Sequence, residues 1–191
     1  MNRFRFRALS ALLLVLLAAP GLARADLHPQ DHDGWSIGFG VGGGTAGVSL
    51  NGLGSSNREG GAIGSFRVGY PITPQVSIAM EGTAWTKEEN GTTLTFDATT
   101  FGVAVFPAEG LVLRGGLGFG STTVAEKEGN VTLSSTESGF GAHLGAGYDF
   151  RVARTFAIGP QVDFGYTTFS GGNANWIGAA LNFNWYFVKR K

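Results

Sequence analysis

Ile177-Gly178-Ala179-Ala180-Leu181-Asn182-Phe183-Asn184-Trp185-Tyr186-Phe187 sets an apolar side chain at every second position, with Gly, Ala, Asn, Asn and Tyr between them. A period of two belongs to a β-strand, whose side chains alternate between two faces. The same rule runs back through the chain. Between Trp35 and Phe187, bulky apolar residues recur on one parity in eight runs, and that parity carries no Asp, Glu, Lys or Arg. The opposite parity is mostly Gly, Ala, Ser and Thr with a few isolated charges. A water-soluble sheet needs one face of long polar side chains, and neither face supplies it. Apolar outside and small or polar inside is the pattern of a transmembrane β-barrel. The chain is therefore expected to be all-β, an eight-stranded antiparallel up-and-down transmembrane β-barrel over residues 34–187.

The other runs are carried by Trp35 to Val41, Ala62 to Tyr70, Val76 to Ala84, Leu111 to Phe119, Phe140 to Phe150 and Phe156 to Tyr166. The fourth run changes parity, with Leu94 and Phe96 on one and Phe101, Val103 and Val105 on the other. One extra residue switches the face of a strand, so a bulge is expected near Ala98-Thr99. Pro160 cannot donate to a ladder, and a bulge or weakened pairing is expected at Gly159-Pro160. Tight turns are expected at Pro71–Pro74, Pro107–Gly110 and Arg151–Arg154. Longer polar loops are expected between, as at Asn51 to Gly60 and Ala125 to Ser135. Trp35, Tyr70, Phe106, Tyr148, Phe150, Tyr166, Trp185, Tyr186 and Phe187 gather near strand ends, where an aromatic ring suits the headgroup region. Short turns on the side of the termini and longer loops on the other fit a periplasmic and an external face. An eight-stranded barrel is just wide enough to be filled by side chains.

The start of the chain reads differently. Arg3, Arg5 and Arg7 precede an apolar run from Ala8 to Ala19, and Ala23-Arg24-Ala25 follows Pro20-Gly21. This is the pattern of a secretory signal peptide over residues 1–25, cleaved after Ala25. A short periplasmic segment, 26–33, would precede the barrel, and a basic tail, 188–191, would follow it. After cleavage, ten basic and fourteen acidic residues remain, a net charge of −4. Without a basic patch there is no footprint for nucleic acid. Without Cys, disulfide and thiolate chemistry are excluded.

Val68-Gly69-Tyr70-Pro71-Ile72-Thr73-Pro74, Leu111-Val112-Leu113-Arg114-Gly115-Gly116-Leu117-Gly118, Gly145-Ala146-Gly147-Tyr148-Asp149-Phe150 and the final aromatic strand carry a family likeness. The chain resembles the small outer-membrane β-barrels, which include the outer membrane protein A, X and W groups. The resemblance implies a Gram-negative outer membrane, contact with its lipids and lipopolysaccharide, and insertion by the barrel assembly machinery. It also assigns an assembly signal to Gly178, Leu181, Phe183, Trp185 and Phe187. These motifs report fold and assembly rather than activity, and no cofactor or metal is expected.

On the inward parity lie Arg67, Glu81, Arg114, His143, Asp149, Gln161, Asp163, Asn182 and Asn184. Arg67 and Arg114 can face Glu81, Asp149 and Asp163 across neighbouring strands. Such a network either fills a narrow barrel or forms a path for protons or ions. Trp85, Trp176 and Ile63 fall inward near the outer mouth. They either meet a small hydrophobic ligand there or belong to the aromatic belt after a local bulge. His143 is the only histidine within the barrel region. Lipid A deacylases of similar size carry a His-x-Ser pair facing the membrane, whereas His143 is followed by Leu144-Gly145 and points inward, so catalysis is not expected. Gly38-Phe39-Gly40-Val41-Gly42-Gly43 lacks the helix a dinucleotide fingerprint requires. His28, Asp31, His32 and Asp33 lack ligand spacing for a metal. The expectation is thus a non-enzymatic barrel, structural or surface-interacting through its external loops. A narrow, porin-like channel for small hydrophobic molecules or ions is the alternative, and a lipid-modifying enzyme the third reading.

Overall fold

The structure, a computed structural model, describes residues 33–52, 54–128 and 131–187. The signal-peptide reading, most of the 26–33 segment and the basic tail lie outside the described residues. Alternation of apolar and small residues extends into β1 (Ser36–Leu50), β2 (Gly54–Ser55), β3 (Glu59–Thr73), β4 (Val76–Glu89) and β5 (Thr92–Ala108). β6 (Leu111–Glu128), β7 (Val131–Tyr148), β8 (Phe150–Ala153), β9 (Phe156–Phe169) and β10 (Gly172–Tyr186) follow. The eight long strands pair antiparallel in the order β1-β3-β4-β5-β6-β7-β9-β10, and β10 pairs back to β1 from Ser36↔Tyr186 to Leu50↔Gly172. The ring leaves no free edge at its waist, which is the condition for a sheet in hydrocarbon. The first and last described segments meet at one end, where the Phe187 N–H donates to Trp35 O at 2.7 Å.

The outward face defines the membrane band. Along β6 it carries Leu111, Leu113, Gly115, Leu117 and Phe119, then turns polar at Ser121 and Thr123. On β7 it runs from Tyr148 and Leu144 to Phe140, then turns polar at Ser138 and Thr136. Leu117, Phe119 and Leu144 are among the most exposed large apolar side chains, as a lipid-facing wall requires. From Leu111 to Phe119 the strand rises about 25 Å, and a tilted strand needs ~9–11 residues to span. β6 and β7 are each 18 residues long. Their far halves therefore stand beyond the membrane band.

Several expectations need correction. β5 has no bulge near Ala98-Thr99, because its register with β4 is unbroken from Val76↔Val105 to Glu89↔Thr92. Leu94 and Phe96 point inward, and Asp97 points outward, where the Ser121 hydroxyl donates to its carboxylate at 2.5 Å. The change of parity is real because the lumen itself is apolar at that level. Much of what reads as external loop is strand: β4 reaches Glu89, β5 starts at Thr92, and Ala125 to Glu128 and Val131 to Ser135 belong to β6 and β7. Asn90 (φ 53°) and Gly91 (φ 81°) close the β4–β5 hairpin by themselves. Two successive left-handed residues make the type I′ turn that matches the twist of the flanking strands. Phe106 and Tyr186 are buried in the lumen rather than in the aromatic belt. At Gly159-Pro160, by contrast, the expected weakened pairing is present: the ladder from β9 to its neighbour is interrupted between Gly147↔Gln161 and Phe150↔Ile158, with no bulge and no change of register. β8 resumes the strand, so that Arg154-Thr155 forms the turn.

Candidate functional site

The inward side chains stack in layers. Nearest the far end, Ile63 on β3, Trp85 on β4 and Phe96 on β5 occupy directly paired positions. Trp85 and Phe96 stack with centroids 5.4 Å apart and planes 14° from parallel. Trp176 enters from β10, and Ala46, Ala98 and Ala174 complete the cluster, with Val48, Leu94 and Phe169 packed above it. Both indoles are within 1 % of complete burial. Their slots are cut by glycine. A Cβ on Gly165 would lie 2.1 Å from the Trp176 ring, and one on Gly61 would lie 2.5 Å from the Trp85 ring. The Trp85 Nε1–H donates to Gly44 O at 3.4 Å and the Trp176 Nε1–H to Thr83 Oγ1 at 3.5 Å. No register shift displaces either strand here, so the two rings belong to the lumen and not to the outer belt.

Beneath lies a polar layer. Arg114 donates to Asp163 Oδ1 at 2.7 Å, to Gln161 Oε1 at 3.0 Å and to Glu81 Oε2 at 3.2 Å. His143 sits between the same carboxylates, with Nε2 3.1 Å from Asp163 Oδ1. Its Nδ1 is also 3.1 Å from Glu81 Oε2, within ion-pair distance but off the hydrogen-bonding direction. Gln161 donates to Asp163 Oδ2 at 2.7 Å and to Ser65 Oγ at 2.9 Å. Arg67 is 3.9 Å from Glu81 Oε1 and donates to Asn184 Oδ1 at 2.6 Å. The Asn184 amide donates to Asp149 Oδ1 at 2.7 Å, and the Tyr186 hydroxyl donates to Asp149 Oδ2. The Arg151 guanidinium covers the Tyr186 ring 4.1 Å from its centroid and donates to Arg154 O. Three guanidinium groups and three carboxylates thus form one connected web from the middle of the lumen to its terminal end. A buried charge needs this kind of pairing, because its desolvation costs several kcal/mol.

Arg67, Glu81, Arg114, His143, Asp149, Gln161, Asp163 and Asn184 are all brought into that web, and Asn182 is buried on the same parity. Trp85, Trp176 and Ile63 come together as well, though in a packed layer rather than around an open mouth. Of the assembly-signal positions, Gly178 faces Ile63 inside, whereas Leu181 and Trp185 face outward on the closing strand. Sequence reasoning missed Phe96, Arg151 and Tyr186. Tyr186 shares the parity of Asn182 and Asn184, and Arg151 that of His143 and Asp149, so carrying each alternation one step further finds both. Chemically, the site holds ion pairs and satisfied amides. His143 meets two carboxylates, and the nearby Ser65 hydroxyl is engaged by Gln161 rather than by the imidazole. One hollow, lined by Ala79, Glu81, Thr100, Gly102, Val103 and Gly115, is too tight to take a water molecule.

Comparison with known proteins agrees with this architecture. The family described as outer membrane protein beta-barrel domain matches residues 9–187. No curated relative matches the sequence. Among solved structures, the chain is similar to Ail, the attachment invasion locus protein of Yersinia pestis, at 15% identity and a TM-score of 0.55. That match covers 80% of this chain and 99% of the other. Neisserial surface protein A is similar at 14% identity and a TM-score of 0.57, with 80% and 97% covered. At such identities the likeness is one of fold. Taken with the family match across the whole strand region, the closed ring of lipid-facing strands means that this chain belongs to the outer membrane β-barrel family and resides in the bacterial outer membrane.

Proposed function

We propose that this chain is a sealed, non-enzymatic barrel that serves as a membrane scaffold and meets other molecules through the hairpins beyond the outer leaflet. The observation that carries this reading is the filled lumen. Trp85, Phe96 and Trp176 lie across the bore at the far end, and the Arg114 web occupies the bore below them. A conduit for ions or small hydrophobic molecules needs a continuous path, and each layer here would have to come apart to make one. Breaking the web leaves buried charges unpaired, at about 3–5 kcal/mol. What remains accessible is the far half of β6 and β7, built as strand rather than as loose loop, which suits surface contact.

Planar-bilayer recording tests the reading. The wild-type protein is expected to insert without steady single-channel conductance. A double Trp85→Gly and Trp176→Gly variant is expected to remain closed or to flicker, because the ionic web still blocks the bore. A steady conductance from the wild type, abolished by Glu81→Ala or Arg114→Ala, would overturn the sealed-barrel reading in favour of a channel. For the enzymatic alternative, lipid A mass spectra from cells with and without the protein are expected to match. A reproducible change in acyl chains would defeat the non-enzymatic reading.

A further inference from the structure

β7 pairs with β9 only from Gly141↔Thr167 to Gly147↔Gln161, whereas it pairs with β6 all the way to Glu128↔Val131. Among the described residues, the ladder on the other side of β7 ends at Gly141, and beyond it β9 reaches only Phe140, through the Thr168 hydroxyl. Glu137 accepts from Ser170 N and Oγ, so the β9–β10 turn shields the edge up to that point. Above it, residues 131–136 form an open sheet edge outside the membrane band.

The Phe140 N–H donates to Thr168 Oγ1 at 2.8 Å, and the same hydroxyl donates to Phe140 O at 3.5 Å. Both backbone groups of Phe140 therefore turn toward β9. Successive residues of an antiparallel strand direct these groups to opposite sides. Thr132, Ser134 and Thr136 accordingly present N–H and C=O to the open side, and Leu133 and Ser135 bond to β6. Proteins usually guard such edges with charge, proline or a bulge. β4 follows that rule: beyond Thr86, where its ladder to β3 stops, it carries Lys87, Glu88 and Glu89, and Lys87 pairs with Glu59 of β3. The open stretch of β7, Val131-Thr132-Leu133-Ser134-Ser135-Thr136, carries no charge, no proline and no bulge. Leu133 on its inner face is 62% exposed.

We propose that this β7 edge accepts an extended, basic segment of a partner protein as an added strand. The inference rests on the reading that the hairpins beyond the outer leaflet are the working surface. Strand addition supplies backbone hydrogen bonds for affinity, and alternate side chains supply selectivity. The charge of the partner follows from the surroundings. Segments 51–60, 86–97 and 121–137 hold three cations, Arg58, Lys87 and Lys127, against seven carboxylates, Glu126 and Glu137 among them. An apolar side chain of the incoming strand would cover Leu133, and its Lys or Arg would meet the carboxylate excess.

The test uses the refolded protein in nanodiscs and a short fluorescent peptide in which Lys alternates with Val. Three further probes accompany it: the same peptide N-methylated at alternate amides, a version with Glu in place of Lys, and the variant Ser134→Pro. Proline at Ser134 removes a donor from the open side and leaves the β6 ladder intact, as edge positions allow. Heat-modifiable gel mobility checks that the variant has folded. Saturable binding of the parent peptide is expected, weakened by salt. N-methylation, charge reversal and Ser134→Pro should each weaken it about tenfold or more, given the worth of one or two lost hydrogen bonds. Absence of binding, equal binding of the N-methylated peptide, or wild-type affinity in the folded variant would overturn the edge proposal. A protein that fails to bind but stays silent in a bilayer loses only this inference, whereas one that conducts loses the sealed-barrel reading.

Discussion

Replacing Arg114 by Ala should be the most damaging single change in the lumen, and its size follows from the contacts. The guanidinium lies 2.7 Å from Asp163, 3.2 Å from Glu81 and 3.0 Å from Gln161. Removing it takes the hydrogen-bonded guanidinium from two carboxylates whose side chains are 0% and 8% exposed. Breaking a buried pair by deleting one partner costs about 3–5 kcal/mol, chiefly for the charge left behind. Arg67→Ala should cost less, about 1.5–3 kcal/mol, because its short contact is to a neutral amide and its carboxylate partner is 3.9 Å away. Neutralising the whole group should then recover most of the loss. Arg114→Met and Arg67→Met combined with Glu81→Gln and Asp163→Asn leave no buried charge at that level beyond His143, and buried ion pairs are not in themselves a net gain over well-packed neutral groups. The assay is urea unfolding in lipid vesicles, read by heat-modifiable gel mobility and tryptophan fluorescence. A loss below about 1 kcal/mol for Arg114→Ala would refute the reasoning. So would a combined variant as unstable as the single one.

Two further outcomes test the placement of the apolar layer. The natural chain has no Cys, so single cysteines report cleanly: Asp97→Cys should react with a membrane-impermeant maleimide and Phe96→Cys should not, and the reverse pattern would restore the bulge in β5. Gly165→Val forces a side chain into the Trp176 slot, where even a Cβ would sit 2.1 Å from the ring. It should cost about 1–3 kcal/mol as overpacking and shift the tryptophan emission; an unchanged spectrum with full stability would show that Trp176 is not held there.

The limits of sequence reading here have physical causes. Arg67, Arg114 and Asp163 could be placed inside because a charge cannot face hydrocarbon, so a single such residue fixes the parity of its strand. Phe96 could not, because an apolar ring is equally at home in lipid and in an apolar lumen. Only its partners Trp85 and Ile63, on the same level of neighbouring strands, decide its side. Asp97 can stand outward because it lies just past the apolar band, where its carboxylate accepts from Ser121. By composition the far hairpins look like loops, because they are rich in Gly, Ser, Asn and Glu. Yet threonine is a good strand residue, and Asn90-Gly91 is a strong signal for a two-residue hairpin. Composition spoke for a loop while alternation and turn chemistry spoke for strands.

The two layers of the lumen also depend on each other. Ion pairs such as Arg114 with Asp163 are strong only where water is scarce, since the same charges at the same distance attract far less in water. The layer of Trp85, Phe96 and Trp176 keeps water from reaching them from the far end, and the Arg151–Tyr186 stack closes the terminal end. The polar layer in turn fixes the floor on which the indoles rest, because Thr83, which accepts from Trp176, sits two residues from Glu81 on β4. Neither layer reaches the open part of β7, whose residues 131–136 lie beyond the apolar cluster and share no hydrogen bond with it. Occupancy of that edge should therefore leave the lumen closed. A partner strand bound there would change what the barrel touches without changing what it lets through.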